Sequence, residues 1–400
     1  MAANSDDLIL RPSWIVFIQC VQSVCVKFNI STLQESQMQA LYSFICREDI
    51  FVNLRTRYGK SIIYIIHTLF SRNVSADHCT KYLIIFIISP LLALMQDQVR
   101  TLTLLGLKAA FVGTEQEPAI LQDIKEGKFM FVFISPESTV ESERWRSVIG
   151  NSIYQINLIG VAIDEVHCVT EWGISMSKKN RSSFRVWYSR LNEIRSIVNK
   201  VPFFALTATA TLKTKERIFE LLEFDSPTQI TKRPNKLNVR YSVQKLDNSL
   251  PIIENFRWLI NELVEKGTGS VRTIIYCQTI KQCSHLFRMF ELELGEFLYG
   301  GEGRTNRLVE MMHSGSPASI EDHIIDQFGD NTKYLRLVIA TTAYGMGINC
   351  KGVTTFGPAN PIESYMQESG RCGRNGDTFI YFNILCMDFT CKGWTLLVPV

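Results

Sequence analysis

Short apolar runs alternate along the chain with longer segments in which apolar residues recur at helical spacing. Residues 50–54 and 158–163 are apolar at nearly every position, which is typical of strands buried on both faces of a parallel sheet. The segments between such runs have the length and periodicity of crossover helices. The pattern therefore predicts an α/β fold in which mostly parallel sheets are flanked by helices.

The longest apolar stretch, residues 82–95, is interrupted by Ser89-Pro90. A membrane helix needs about 18 or more unbroken apolar residues, so we predict instead a parallel strand that runs into a helix. The N-terminal region carries Asp6 and Asp7 and lacks a basic start, so a secretory signal is not expected. Neither the apolar stretch nor the N-terminal region therefore predicts a membrane partner.

The composition is that of a folded protein. Hydrophobic residues make up 46% and charged residues 20% of the 400 positions, which excludes a disordered chain and suffices for about two or three core-bearing domains. The net charge of +3 neither requires nor excludes a groove that follows a nucleic-acid backbone. The 11 cysteines include no C-x-x-C pair, which indicates reduced thiols in an intracellular protein.

Two adjacent acids, Asp164 and Glu165, follow the apolar run at residues 158–163, and His167 lies two positions later. The carboxyl ends of parallel strands border the crevice in which open α/β sheets bind ligands. One interpretation is that Asp164 helps to hold Mg²⁺ against phosphates while Glu165 orients or deprotonates the attacking water. The other is a surface turn with two solvated acids. The sequence of this motif alone leaves both interpretations open.

A second candidate motif reads Tyr-Gly-Lys-Ser at residues 58–61, between an apolar run and an apolar helical segment. This order is typical of a phosphate-binding loop, because backbone N–H groups at a helix start and a lysine converge on phosphate oxygens. The loop and Asp164 would form complementary halves of one Mg-nucleotide clamp. The predicted nucleotide-binding residues are Thr56, Gly59, Lys60, Ser61 and Asp164, and the predicted metal ligands are Ser61 and Asp164.

Motifs in a fixed order along the chain resemble those of the RecQ helicases, superfamily-two motors whose DEAH-type box reads DEVH here. The box continues as CVTEWG, and a VIATTAYGMGIN segment and a QESGRCGRNGD segment follow in the second half. The resemblance covers roughly residues 28–386. The matching segments are 28–40, 88–99, 133–137, 164–173, 206–211, 274–279, 313–315, 338–349 and 367–377.

This resemblance implies two tandem RecA-like domains with ATP sandwiched between them. We place the first domain at residues 28–230 and the second at 231–388, with an N-terminal extension at 1–27 and a tail at 389–400. The boundary follows from the Pro, Asn and basic residues at 231–238, which interrupt two periodic halves. The zinc module and winged helix that usually follow this core are expected to be absent, and no zinc is expected.

The resemblance also assigns residues to the nucleotide. Gln37 would grip the adenine edge by hydrogen bonds, and Lys60, Asp164 and Glu165 would act as described above. From the second half, Arg371 and Arg374 would insert positive charge at the γ-phosphate, with Gln367 beside them. The predicted catalytic residues are Glu165, Asp164, Lys60, Arg371 and Arg374.

The expected polymer partner is single-stranded or partly duplex DNA. Trp172, Phe184 and Arg185 are candidates for stacking on bases, whereas Ser89 and Ser135 lie where family members contact phosphates. The alternatives are that Trp172 packs in a core and that both serines are ordinary turn residues.

Four further positions are candidates for coupling the nucleotide to DNA. His167 would bridge the nucleotide site and the loop after the box, because no second His or Cys stands beside it at metal-ligand spacing. Thr207 and Thr209 would link the domains through their hydroxyl groups, although the same residues also suit an ordinary strand end. Gly345 belongs to the GMGIN segment.

Several positions depart from the family pattern. Arg57 stands where the phosphate loop normally has glycine, which would cost about 1–3 kcal/mol if that position needs a positive φ. Gln34 replaces an arginine that helps to hold adenine, and the segment at 350–357 is shorter than in the family. An insert at 174–183 carries basic residues that suit a solvated loop. We therefore expect weakened ATP binding.

The predicted function is an ATP-dependent 3′–5′ DNA helicase core acting in DNA repair and recombination, with nuclear localisation implied by the resemblance. The alternative is a catalytically impaired remnant that binds nucleic acid without ATP turnover. A third interpretation, an RNA helicase with the same core, is disfavoured by the CVTEWG and GMGIN segments.

Overall fold

The computed structural model divides the chain into two compact units, Met1–Pro234 and Asn235–Val400. The residues that the structure describes are 12–27, 30, 32–56, 58–74, 83–90, 92–113, 116–140, 142–168, 190–198, 201–233, 238–245, 247, 249–300, 306–313, 315–329, 332–341, 352–357, 362–370 and 379–385. Within them, no helix is both long and apolar enough to span a bilayer.

The first unit is built on a seven-stranded sheet in the order β3-β4-β2-β5-β6-β1-β7, and every strand pair in it is parallel. The strands are β1 (Ile50–Asn53), β2 (Ile84–Ile88), β3 (Ala109–Phe111), β4 (Phe131–Ile134), β5 (Leu158–Ile163), β6 (Phe203–Thr207) and β7 (Thr228–Thr231). The predicted strand and helix on either side of Ser89-Pro90 are confirmed as β2 and a helix at Leu92–Leu104.

Helices cover both faces of this sheet. Their bounds are α1 (Trp14–Lys27), α2 (Glu35–Ile45), α3 (Lys60–Val74), α4 (Leu92–Leu104), α5 (Pro118–Lys125), α6 (Pro136–Val140), α7 (Glu143–Ile149), α8 (Ser152–Asn157), α9 (Asn192–Ile197) and α10 (Leu212–Leu221).

Alternate residues of each central strand enter different hydrophobic cores. In β2, Ile85 and Ile87 join the core formed with α1 to α4, whereas Phe86 and Ile88 join the core on the opposite face. Because side chains alternate across a strand, a strand covered on both faces has to be apolar throughout. This double burial explains the uniformly apolar runs in the sequence.

One buried histidine makes the stability of this unit dependent on pH. His67 of α3 stacks on Phe44, with ring centroids 4.2 Å apart, and its Nδ1 has no hydrogen-bond partner within the described residues. Burial and then the charge of Arg47 lower the pKa of His67 from 6.5 to about 3. The unfolded chain therefore binds a proton that the folded chain excludes at mildly acidic pH.

We expect the free energy of unfolding to fall as the pH drops from 6.5 toward 3, by up to about 1.4 kcal/mol per pH unit from this group. His67→Phe should reduce that slope, because the unfolded variant gains no proton at this position. Urea titrations between pH 4.5 and 7 would measure this dependence of the unfolding free energy on pH. His285→Phe is the control, because His285 is exposed. An identical slope in wild type and His67→Phe would contradict this assignment.

The second unit contains a six-stranded sheet in the order β10-β11-β9-β12-β13-β8, again with parallel strand pairs. Its strands are β8 (Val239–Lys245), β9 (Thr273–Cys277), β10 (Val309–Met312), β11 (Leu337–Thr341), β12 (Gly352–Phe356) and β13 (Phe379–Leu385). Its helices are α11 (Arg257–Lys266), α12 (Ile280–Leu294), α13 (Ala318–Gly329) and α14 (Ile362–Ser369).

This unit repeats the double burial of the first. Ile275 of β9 packs in the core with α11 and α12, and its neighbour Ile274 packs on the other face with α13. The predicted α/β architecture of mostly parallel sheets flanked by helices is thus confirmed for each unit.

Candidate nucleotide site

Asp164 lies directly after β5, at the carboxyl edge of the first sheet. Its backbone N–H donates to the carbonyl of Ile88 at 2.9 Å, which extends the β2–β5 pairing by one residue. The side chain is only 7% exposed, and its Oδ1 accepts a hydrogen bond from the N–H of Glu165 at 3.0 Å. The solvated-turn interpretation is therefore wrong for Asp164, whose carboxylate is held inside the edge of the sheet.

The phosphate-loop motif forms the predicted strand, glycine turn and helix. Gly59 has φ = +73°, a backbone conformation that favours glycine, and a Cβ atom there would lie 2.7 Å from Nε2 of Gln37, so the Gln37 amide would also have to shift. Lys60 is the first residue of α3 and donates from Nζ to the carbonyl of Leu54 at 3.1 Å. The lysine therefore reaches back across its own loop, at the positive end of the helix dipole.

Gln37 of α2 is also part of this loop. Its Nε2 donates to the carbonyls of Tyr58 at 2.7 Å and Gly59 at 3.2 Å, while its Oε1 accepts from the N–H of Gln34 at 2.8 Å. In this structure the Gln37 amide binds the backbone of the phosphate loop. Its predicted role in binding the adenine edge stays a prediction.

Tyr58 is a second side chain at a position where the family pattern has glycine, and the sequence interpretation overlooked it. Its phenol oxygen accepts hydrogen bonds from Ser36 at 2.9 Å and from Lys232 at 2.7 Å. Burial raises the pKa of Tyr58, but the hydrogen bonds from Lys232 and Ser36 and the charges of Lys232 and Arg55 lower it below its usual value. The loop is thereby joined to α2 and to the segment after β7.

Glu165, His167 and Thr207 form a connected group beside Asp164. His167 is fully buried, and its Nδ1 lies 3.3 Å from Oε2 of Glu165 and 3.1 Å from Oγ1 of Thr207. Thr207 Oγ1 also accepts the N–H of Thr209 at 3.2 Å. The predicted coupling residues of the first unit therefore form one chain of contacts that runs from the acid pair to the end of β6.

The backbone of Glu165 is unusual for a residue that follows a strand. Its φ is +46°, in the left-handed region. The other described non-glycine residues with positive φ, Arg47 and Glu223, come just after α2 and α10, where a left-handed residue commonly ends a helix. Left-handed non-glycine residues cost about 1–3 kcal/mol and concentrate at functional sites. This conformation supports a functional role for Glu165.

The charges around Asp164 act on one another. Burial and then the negative charge of Glu165 raise the pKa of the Asp164 carboxyl, whereas the positive charge of Lys60 lowers it. Lys60 is thus close enough to Asp164 to matter electrostatically, although α3 and β5 are far apart in sequence. A divalent cation beside the carboxylate would further favour its ionised form.

The oxygen donors present here fit Mg²⁺. Asp164 supplies a carboxylate and Ser61 a half-buried hydroxyl, and hard oxygen donors are the ligands that Mg²⁺ prefers. Mg²⁺ in nucleotide sites is typically held by one or two protein groups together with phosphates and water. Ser61 and Asp164 are the residues that would hold it.

Two residues near Asp164 were missed by the sequence interpretation. Gln98 of α4 donates from Nε2 to Asp164 Oδ2 at 3.5 Å, and its Oε1 accepts from the phenol of Tyr64. Gln98 lies between buried Met95 and Leu102 on the same face of α4. A polar residue on a buried helical stripe is a signal that could have identified it.

The residues predicted to contact phosphates, Ser89 and Ser135, have structural roles at the ends of strands in the first unit. Ser89 is fully buried after β2. Ser135 precedes α6, where its Oγ accepts the N–H of Ser138 at 3.2 Å, as a helix N-cap does. Both follow carboxyl ends of strands in the first sheet, and their contact with nucleic acid stays a prediction.

The remaining predicted residues are Thr56, Gln367 and seven that lie outside the described ranges. Thr56 lies in the described turn of the phosphate loop, and Gln367 belongs to α14, but the side chain of Gln367 is outside the described part of the chain. The residues outside the described ranges are Arg57, Trp172, Phe184, Arg185, Gly345, Arg371 and Arg374.

Comparisons with known proteins identify the two halves of the chain. Residues 34–218 match the DEAD/DEAH box helicase family. This range contains the phosphate loop and the acid pair. Residues 254–376 match the helicase conserved C-terminal domain.

The curated relatives include RecQ helicases from animals and bacteria. The RecQ-like DNA helicase BLM of Xenopus laevis is 29% identical over 362 residues, which cover 88% of this chain and 24% of the relative. The bifunctional 3′-5′ exonuclease/ATP-dependent helicase WRN of Mus musculus is 30% identical over 382 residues, covering 93% of this chain and 24% of the relative. The ATP-dependent DNA helicase RecQ of Haemophilus influenzae is 27% identical, covering 87% of this chain and 50% of the relative. The chain thus spans between 24% and 50% of the length of these relatives.

Solved helicase structures share the fold. The DUF1998 helicase MrfA bound to DNA superposes with a TM-score of 0.69 at 17% identity, covering 92% of this chain and 51% of that protein. The Mycobacterium smegmatis helicase Lhr bound to ssDNA and AMP-PNP gives a TM-score of 0.66 at 15% identity, covering 92% and 47%. These likenesses confirm the predicted fold of two tandem RecA-like domains. The helicase family matches and the RecQ relatives, taken together, identify the chain as a RecQ-like superfamily-two helicase core.

Proposed function

We propose that this core hydrolyses ATP with Mg²⁺ and uses the energy to move 3′ to 5′ along single-stranded or partly duplex DNA. DNA repair and recombination in the nucleus is the proposed setting, on the strength of the RecQ resemblance. The observation that carries the proposal is the grouping of Lys60, Asp164 and Glu165 at one edge of the first sheet, where the charges of Lys60 and Glu165 act on Asp164. A phosphate-binding cation beside a buried acid pair is the arrangement that phosphoryl transfer requires.

Each residue of the first unit has a distinct task in this proposal. Lys60 and the N–H groups at the start of α3 bind phosphate oxygens. Glu165 orients the attacking water and accepts its proton, and its contact with His167 holds the carboxylate in place. When bound, Mg²⁺ would neutralise phosphate charge and so favour attack by water.

The contacts of His167 suggest how hydrolysis is linked to DNA. His167 touches both Glu165 and Thr207, and Thr207 binds the backbone of Thr209 in the loop after β6. A shift of this loop would alter the position of Glu165 through His167. We therefore assign the coupling role to His167, Thr207 and Thr209, with Gly345 assigned to it by resemblance.

The remaining assignments rest on resemblance. Arg371 and Arg374 would stabilise charge on the γ-phosphate when the two domains close, with Gln367 beside them. Trp172, Phe184 and Arg185 would stack on bases of a single strand, and Ser89 and Ser135 would approach its phosphates.

A nucleic-acid-binding remnant without ATP turnover is the second candidate. Tyr58 favours it, because a bulky side chain occupies a glycine position of the family's phosphate loop and is fastened there by Ser36 and Lys232. Gln37 also favours it, because its amide nitrogen donates to the loop carbonyls of Tyr58 and Gly59 rather than to an adenine.

Phosphate release with single-stranded DNA, with single-stranded RNA and with neither would separate the candidates, using Glu165→Gln as the blank. We expect DNA to stimulate release well above the blank and above RNA. DNA binding without release above the blank would leave the remnant as the function. Stronger stimulation by RNA would identify an RNA helicase.

A further inference from the structure

Tyr64 lies one helical turn after the phosphate loop and is fully buried. Its phenol donates a hydrogen bond to Oε1 of Gln98. Residues three and four positions apart on a helix share one face, so Tyr64 lies on the same face of α3 as Lys60 and Ser61. Tyr64 therefore lies on the same side of α3 as the predicted phosphate- and metal-binding residues.

Tyr64 is connected to the predicted metal ligand Asp164 through Gln98. A glutamine amide has one accepting oxygen and one donating nitrogen, and the two can exchange places by rotation of the amide. The phenol of Tyr64 is the hydrogen-bond donor to Oε1 of Gln98. That bond leaves Nε2 to face Oδ2 of Asp164, at 3.5 Å.

Each oxygen of the Asp164 carboxylate faces its own hydrogen-bond donor. Asp164 Oδ1 is bound by the N–H of Glu165, so Gln98 fixes the other carboxylate oxygen. The orientation of the Asp164 carboxylate therefore depends on Gln98 and, through Gln98, on the Tyr64 phenol.

We propose that Tyr64 is a positioning residue for the metal site, fixing the Asp164 carboxylate through Gln98. This inference rests on the proposed use of a Mg-nucleotide at that site, and it adds two residues that touch neither metal nor nucleotide. Groups that orient metal ligands in this way commonly change metal affinity by about 10- to 100-fold when removed.

The experiment measures metal binding rather than turnover. Mn²⁺ would be titrated into the chain with a non-hydrolysable ATP analogue, and free Mn²⁺ would be followed by electron paramagnetic resonance. Tyr64→Phe keeps the ring and removes only the hydroxyl, and Gln98→Leu keeps the approximate volume. Tyr154→Phe is the matched control, because Tyr154 is equally buried in the same unit and donates its hydroxyl to the backbone of Ile124.

We expect Tyr64→Phe to weaken Mn²⁺ binding by about three- to tenfold and Gln98→Leu by roughly tenfold, while metal-free analogue binding stays constant. The double variant should lose less than the product of the two single effects, because both changes interrupt the same chain of contacts. Tyr154→Phe should bind Mn²⁺ as the wild type does.

Unchanged Mn²⁺ binding in Tyr64→Phe, an equal loss in Tyr154→Phe, or a double variant that shows the full product would each overturn the inference. Those results would leave the proposed function intact, since the wild type would still bind Mn²⁺ with the analogue. A wild-type chain that binds no analogue at all would instead remove the proposed function, and the inference with it.

Discussion

Replacement of Glu165 by glutamine is expected to slow DNA-stimulated ATP hydrolysis by about 10²- to 10⁴-fold, the contribution of a positioned general base. Glutamine keeps the shape of the side chain and its reach toward His167 Nδ1, which lies 3.3 Å from Oε2 in the wild type. It cannot accept a proton from water. ATP binding should persist, because Lys60, Ser61 and Asp164 are unchanged.

Steady-state phosphate release and equilibrium ATP binding, measured on the same preparation, would test this separation. Glu220→Gln is a suitable control, since Glu220 is an exposed acid on α10 that pairs only locally with Arg217 among the contacts seen. Hydrolysis by Glu165→Gln within threefold of wild type would show that another group activates the water.

Lys60→Ala is expected to weaken ATP binding by roughly 10- to 100-fold, because hydrogen bonds to a charged group contribute about 1.5–3 kcal/mol. Lys60 begins α3, and its Nζ now binds only the Leu54 carbonyl among the contacts seen, so it is available to exchange that acceptor for phosphate oxygens. Removing it also removes the positive charge that favours ionised Asp164.

Lys128→Ala provides the matched control for this change. Lys128 is an exposed lysine of the same unit and pairs with Asp123 and Glu126 at the surface. Fluorescent ATP titrations should give wild-type affinity for Lys128→Ala. Equal affinity in Lys60→Ala would mean that phosphates bind elsewhere.

The strands and helices that depend on the spacing of apolar residues were predictable from the sequence. β5 is apolar at every position because it packs against helices on both faces, and the first polar residues after it, Asp164 and Glu165, mark the edge of the sheet. Gly59 was predictable for the same local reason, since a left-handed turn before a helix selects glycine.

The contacts between distant segments were not predictable from local pattern. Tyr64 and Gln98 occupy ordinary helix positions in the sequence, and only the packing of α3 and α4 in one core on the same face of the sheet brings their side chains together beside Asp164. The sequence alone shows that Tyr58 departs from the family's glycine pattern. It does not show the partners of Tyr58, because Ser36 and Lys232 lie 22 and 174 residues away. Their meeting is a property of the tertiary structure.

The central claim is that Lys60, Ser61 and Asp164 form one site for a magnesium-bound nucleoside triphosphate. Calorimetric titration of the wild-type chain with a non-hydrolysable ATP analogue, with Mg²⁺ and with Mg²⁺ chelated, tests it most directly. We predict saturable binding to one site that becomes clearly tighter when Mg²⁺ is present. Binding that is absent, or equally strong without the metal, would contradict the account.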